Sequence, residues 1–191
     1  MKVITAPEQY EKQEGDVLLF LAGGITNCPN WQKEVIALLE KVNPSDLVVF
    51  NPRRDNFPIH DPNAAKEQIT WEFKYLNMAD IFTMYFCSGE SDQPICMYEL
   101  GRHLHRISEE NGWDNVIDHT VVSVEDGYKR KNDVIIQTSL ALERPVEFVS
   151  TGATPFRHAE DILMTYLSLK FGGTARFAEK IKEYKNRMRS I

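Results

Sequence analysis

Residues 79–107 read ADIFTMYFCSGESDQPICMYELGRHLHRI, from Ala79 to Ile107. The apolar run Ile81–Cys87 predicts a buried strand, and the polar stretch Ser88–Gln93 predicts a loop. Pro94 marks the first turn of a helix, because its missing N–H costs nothing there. Leu100, Leu104 and Ile107 follow at i, i+4 and i+7, the core stripe of that helix. Glu99 stands in the opening turns. There the partial positive charge of the helix N-terminus helps keep a carboxylate ionised. The unit is strand, loop and helix with an acid at its mouth.

The same unit recurs on both sides of this stretch. Val17–Ala22 is a near-continuous apolar run, the mark of a strand buried on both faces, and Gly23-Gly24 ends it. Asn30 is placed to cap a helix over Trp31–Val42, with Val35, Leu38, Leu39 and Val42 on one face. Leu47–Phe50 reads as a strand and is followed at once by Asn51-Pro52-Arg53-Arg54-Asp55. Ala64–Ala79 reads as a helix with Ile69, Trp71, Phe73 and Leu76 on its apolar side. Downstream, Thr120–Val124 is a strand, Asp133–Glu143 a helix stopped by Pro145, and Val146–Val149 a short strand. Arg157–Phe171 and Thr174–Arg189 are helices separated by Gly172-Gly173. Short apolar strands alternating with amphipathic helices predict a parallel, doubly wound α/β sheet of four or five strands. Helices cover both faces, and extra helices follow at the C-terminus. The expected division is one α/β domain over residues 1–150 and a helical extension over 151–191. That extension packs either on the same domain or on a neighbouring subunit.

Bulk properties narrow the function. The chain has 191 residues, is 42% hydrophobic and carries a net charge of −6. That length supports one sizeable core. With no basic stripe, duplex nucleic acid is not an expected partner. Cys28, Cys87 and Cys96 form no CxxC or Cys/His cluster, which fits free thiols in a reducing compartment and no metal site. The start MKVITAPEQYEKQEGD has no apolar signal-peptide core, and the longest apolar run is too short to span a membrane. The expected location is cytoplasmic.

In doubly wound sheets, ligands bind outside the carboxyl ends of the strands. The candidate loops are therefore Gly23-Gly24, Asn51–Asp55, Cys87–Asp92 and Glu125–Gly127. AGGIT (residues 22–26) lacks both GxGxxG and GxxxxGK[ST], which argues against a dinucleotide site or a P-loop. Its glycines serve either a close ligand approach or a tight turn. Acids dominate the rest: Glu72, Asp80, Asp92, Glu99 and Asp126. Several acids near one mouth can hold a metal, but no His or Cys joins them at ligand spacing; they can also serve as nucleophile and acid–base pair at a sugar carbon, and singly each except Glu99 reads as a cap or a solvated charge. His103 lies i+4 from Glu99 and reads as a surface histidine. Cys96 lacks a histidine partner and is a poor nucleophile candidate. Arg53 and Arg54 suit either an anionic ligand or surface salt bridges.

Four pieces, LFLAGGITNCPNWQKEVI, VFNPRRDNF, WEFKYLNMADIFTMYF and ICMYELGRHL, resemble the nucleoside 2-deoxyribosyltransferase family and its "like" branch. The resemblance covers roughly residues 17–150. It rests on AGGI-x5-W, NPRR, the AD pair and the ELG motif in that order. It implies a flavodoxin-like fold and transfer of a 2-deoxyribosyl group between nucleobases. The ELG glutamate, here Glu99, attacks the anomeric carbon to give a covalent intermediate. Asp80 contacts the base and handles its proton, Asp92 helps hold the sugar, and Asn132 matches an asparagine near it. Gly23, Gly24, Trp31, Asn51, Arg53 and Glu72 complete the candidate substrate-binding set. The implied partners are a nucleoside or nucleotide and a free nucleobase, with no cofactor and no metal, in a homo-oligomer. The strand-end rule conflicts with this on one point. Asp80 precedes its strand and should lie at the far edge of the sheet from Glu99. Two rivals share the fold: an N-glycosidase acting on a nucleoside 5′-monophosphate, and a non-catalytic nucleotide-binding module.

Overall fold

The structure is a computed structural model that describes residues 1–143, 148–172 and 174–190; for residues 113, 114 and 175 only the backbone is described. The strands are β1 (Lys2–Thr5), β2 (Val17–Gly23), β3 (Leu47–Asn51), β4 (Ile81–Phe86), β5 (Thr120–Val124) and β6 (Ser150–Thr151). The helices are α1 (Trp31–Val42), α2 (Ala64–Met78), α3 (Pro94–Asn111), α4 (Lys131–Ala141), α5 (Pro155–Phe171) and α6 (Ala175–Arg189). A short 3-10 turn, Trp113–Asp118, links α3 to β5.

All strands pair in parallel, in the order β1-β3-β2-β4-β5-β6. Leaving out the added edge strand β1, this is the flavodoxin-like order. From β2 the chain crosses to β3 on one side, then returns past β2 to β4 on the other. The switch point, where a ligand crevice opens, therefore lies between the carboxyl ends of β2 and β4. Their register there pairs Ala22 with Met84 and Gly23 with Tyr85.

Strand alternation sorts the apolar side chains into two cores. Phe20, Phe50, Trp71, Tyr75, Phe82, Leu100 and Leu104 pack on the face covered by α2, α3 and α4. Leu19, Leu21, Trp31, Tyr85, Ile162 and Tyr166 pack on the face covered by α1 and α5. Asn30 caps α1 through Lys33 N–H at 3.1 Å, as the sequence predicts. Helix α5 buries Ile162, Leu163, Tyr166 and Leu167 on the molecule's own sheet. The partly buried Phe177, Ile181 and Tyr184 of α6 pack on the same core.

Several expectations change. The sheet has six strands, because Lys2–Thr5 pairs along β3 as an edge strand with Ile4 as its buried residue. A four-residue edge strand with one fully buried side chain leaves little periodic signal. The strand expected over Val146–Val149 begins outside the described residues, as do the Pro145 stop and Gly173. Phe148 and Val149 are not in a strand, and the last strand is Ser150–Thr151, beside β5. On α2, Ile69 and Phe73 are exposed. That helix turns instead on Trp71 and Tyr75, with Tyr75 stacked on Phe50 at 4.3 Å and Trp71 Nε1–H bonded to the Glu8 carbonyl. His103 is fully buried, stacked on Phe82 at 5.1 Å, and not on the surface. Among the described residues, no helix is long and apolar enough to cross a membrane.

Candidate active site

A cavity of about 190 Å³ opens at the switch point. Its floor is Phe20 and Ala22 at the end of β2. Gly23, Gly24, Ile25 and Thr26 form one wall, and Pro52, following β3, closes a corner. Glu72 enters from α2. Ser91, Gln93, Ile95, Cys96 and Glu99 come from the β4–α3 loop and the first turns of α3.

The glycine loop is shaped by the chain's own packing. Gly23 has φ 152°, and a Cβ there would overlap the Tyr85 carbonyl and the Trp31 ring. Trp31 stacks on Tyr85 at 4.8 Å and donates Nε1–H to the Gly24 carbonyl at 2.9 Å. Trp31 thus lies beneath the loop and fixes its path. Arg53 does the same from the other side. Its guanidinium bonds the carbonyls of Pro29 at 2.6 Å and Cys28 at 2.9 Å, pinning the end of the loop. Asn51 accepts from Arg53 N–H and shapes the turn after β3. Trp31, Asn51 and Arg53 therefore act on the pocket wall and are not among its lining residues.

The two lining acids face each other electrostatically. Glu99 is half-buried, and no described residue donates a hydrogen bond to it. Burial, then the charge of Glu72, push its carboxyl up to about 7, against a smaller opposing pull from Arg102. Burial also raises Glu72, partly offset by a hydrogen bond from Gln68. That Gln68 amide donates to Glu72 at 2.9 Å and to the Pro52 carbonyl at 2.7 Å. Both acids therefore hold a proton more readily than free carboxylates do. Cys96 lies beside them, but burial pushes its thiol up to about 12, so it supplies no thiolate.

The other predicted residues lie elsewhere. Asp80 sits at the amino end of β4, where it accepts from Leu18 N–H at 2.8 Å and pairs with Lys12 at 2.8 Å. It does not line the cavity. That is where the strand-end rule places it, and within one chain the structure does not bring it to Glu99. A residue entering β4 from below cannot reach a crevice above the sheet. Asp92 is an exposed side chain 3.7 Å from Lys129, and Asn132 is exposed on α4; neither lines the cavity. Asp126 is exposed and paired with Lys131. Sequence reading missed Gln93, whose αL backbone (φ 48°) starts α3 and whose amide donates to the Cys87 carbonyl at 2.8 Å. Its Oε1 is buried without a hydrogen-bond partner, beside Gly24. A glutamine directly before the helix-starting proline was the available signal. Among the described residues, no group of three or more His, Cys, Asp or Glu is placed to hold a metal ion.

Two raised carboxylates at the switch point of a doubly wound sheet are an arrangement that can supply acid–base or nucleophilic chemistry to a small ligand. Residues 16–110, about half of the chain, match the family model described as nucleoside 2-deoxyribosyltransferase like. That span runs through β2, β3 and β4 and contains every residue lining the cavity. The chain belongs to the nucleoside 2-deoxyribosyltransferase-like family. Comparison with curated proteins gives no match.

Proposed function

We propose that the protein transfers a 2-deoxyribosyl group between nucleobases, with Glu99 as nucleophile and Glu72 handling the base's proton. The observation that carries this reading is that two half-buried acids, Glu72 and Glu99, line one small cavity at the switch point, where burial raises both carboxyls. In the productive form Glu99 is ionised and Glu72 protonated. A Glu99 oxygen bonds the anomeric carbon as the bond from that carbon to the base nitrogen breaks. The bonding electrons go to the base, which takes the proton of Glu72. The ionised Glu99 also offsets the positive charge that develops on the sugar. A second base then attacks the anomeric carbon, Glu72 takes its proton, and Glu99 is released. The configuration at the anomeric carbon is retained.

A larger neighbouring groove of about 410 Å³ shares Ile25, Thr26, Pro52 and Glu72 with the cavity. Phe57, Ile59 and Ile69 give it apolar walls suited to a flat base, and Glu72 stands at the junction, where the base nitrogen must be protonated. We assign the sugar to the cavity and the base to the groove. Ile69, Phe73, Ile95 and Tyr98 are large apolar side chains left exposed on α2 and α3, in keeping with a homo-oligomer.

The test is exchange itself. Incubated with a deoxynucleoside and a different free base, the protein should form the exchanged nucleoside. Glu99→Gln should abolish exchange, and Glu72→Gln should slow it by about 10²–10⁴-fold. Absence of exchange across a panel of deoxynucleosides would sink the reading. One observation favours exchanged roles: the last proton of the pair rests on Glu99, the more strongly raised acid. In that version Glu99 donates the proton and the sugar is carried on Glu72.

A further inference from the structure

We infer that the outer edge of the sheet holds a second ligand site, built for a small organic cation: a protonated primary amine on an apolar body. The inference stands apart from the glycosyl-transfer reading, because this site shares no lining residue with the switch-point cavity or its neighbouring groove. It is a pocket of about 350 Å³ beside β5. Strand β6 pairs only with Ser123 and Val124. The amino-terminal part of β5, residues 120–122, therefore has no strand on its outer side among the described residues. Helix α5 supplies the facing wall. Its core stripe, Ala159, Ile162, Leu163 and Tyr166, is turned onto the sheet, which brings Arg157, Asp161 and Met164 to the pocket. Ile117 of the 3-10 turn and Phe148 add apolar surface.

Two polar groups of the pocket lack partners on its inner side. Thr120 is 3% exposed, and its Oγ1 is buried with no hydrogen-bond partner. Such a group is costly to leave unpaired unless something in the pocket completes it. The second group is the Asp161 carboxyl, whose side chain is 23% exposed. It accepts from the Ser150 hydroxyl, and Arg157 Nε stands 3.2 Å from its Oδ1. Arg157 is itself 60% exposed and shared with Glu160 at 4.0 Å, so its charge lies mostly in water. Burial outweighs these partners and raises the Asp161 carboxyl. Among the described lining residues Arg157 is the one cation. A hydroxyl and a carboxylate short of donors match an ammonium group that donates to both. Its apolar body would lie on Ile117, Val122, Phe148 and Met164. An anionic ligand would meet Asp161 with no cation inside to offset it, and a wholly apolar one would leave both polar groups unpaired.

The probe is benzylamine, with benzyl alcohol and benzoate as its neutral and anionic counterparts, in calorimetric titrations of the full chain. Benzylamine should bind, benzyl alcohol roughly tenfold more weakly, and benzoate not at all. Asp161→Asn should weaken benzylamine binding by about 10–100-fold, the range for hydrogen bonds to a charged group. Thr120→Val keeps the side chain's shape and should weaken it severalfold. Arg157→Gln should tighten binding, since the guanidinium competes with the amine for Asp161; weaker binding in that variant would contradict the assignment. Glu99→Gln, in the switch-point cavity, should leave binding unchanged. Binding lost in Glu99→Gln and kept in Asp161→Asn would put the amine on the other carboxylates and overturn the inference. No binding of benzylamine, or binding indifferent to both Asp161→Asn and Thr120→Val, would overturn it as well. Thermal unfolding checks that each variant is folded, and if Asp161→Asn is not, Thr120→Val and Arg157→Gln decide the matter by the same outcomes.

Discussion

Glu99 is held up to about 7 by burial and by Glu72, and the proposed transfer requires one proton on the pair. The last proton leaves at about pH 7, so kcat/KM should fall as pH rises through about 7. It should fall again at acid pH, where the pair takes a second proton. A profile still rising above pH 8 would contradict this pairing. Gln68 sets the position of the upper limb. Its amide favours the ionised form of Glu72, so Gln68→Met should keep the last proton on the pair to higher pH. Loss of a hydrogen bond to a charged group corresponds to an upward shift of about one to two pH units in that limb. A purely structural role for Gln68 would lower activity without moving the limb. Glu99 was legible in the sequence because its strand, loop, helix and ELG motif are contiguous. Its partnership with Glu72 was not, since acids 27 positions apart meet only after α2 and α3 pack on one face of the sheet. Asp80 was assigned to the site by resemblance and away from it by strand direction; within one chain it lies at the amino end of β4, outside the cavity lining.

At the scale of elements, the β2–α1 connection is the rigid part of the site. Gly23 lies in the left-handed half of backbone space with no room for a Cβ. Gly23→Ala should destabilise the fold by about 2–4 kcal/mol, combining backbone strain with overpacking against Trp31 and Tyr85. Thermal unfolding measures it; a change below about 0.5 kcal/mol would show that the loop relaxes freely. The helices and central strands were readable because β2 and β4 are buried on both faces and their apolar runs are nearly unbroken. The buried face of α2 was not. Trp71 and Tyr75 reach the core yet keep polar tips bonded to the N-terminal segment, whereas Ile69 and Phe73 carry the stronger apolar signal and remain exposed. Edge strand β1 gave too short a pattern to register.

For the whole molecule, the site opposes stability. Glu99 has a carboxyl raised from 4.5 to about 7, so between those values the folded chain binds more protons than the unfolded one. The contribution of Glu99 to folding stability is therefore full below about pH 4.5 and is lost as pH rises through about 7. Glu99→Gln removes the penalty. The variant should melt above the parent at pH 8, with the difference shrinking toward pH 4.5. A constant difference across that range would contradict the burial of an ionisable Glu99. The same carboxylates that cost stability are the groups to which the proposed chemistry is assigned.

The central claim concerns a bond, and the most direct measurement looks for it. The protein is mixed with a deoxynucleoside without acceptor base, quenched in acid, digested and mapped by mass spectrometry. The account predicts one deoxyribosyl ester, on the peptide containing Glu99 and localised to that residue, which disappears when acceptor base is added before the quench. An ester on Glu72, or turnover with no ester on either acid, would contradict it.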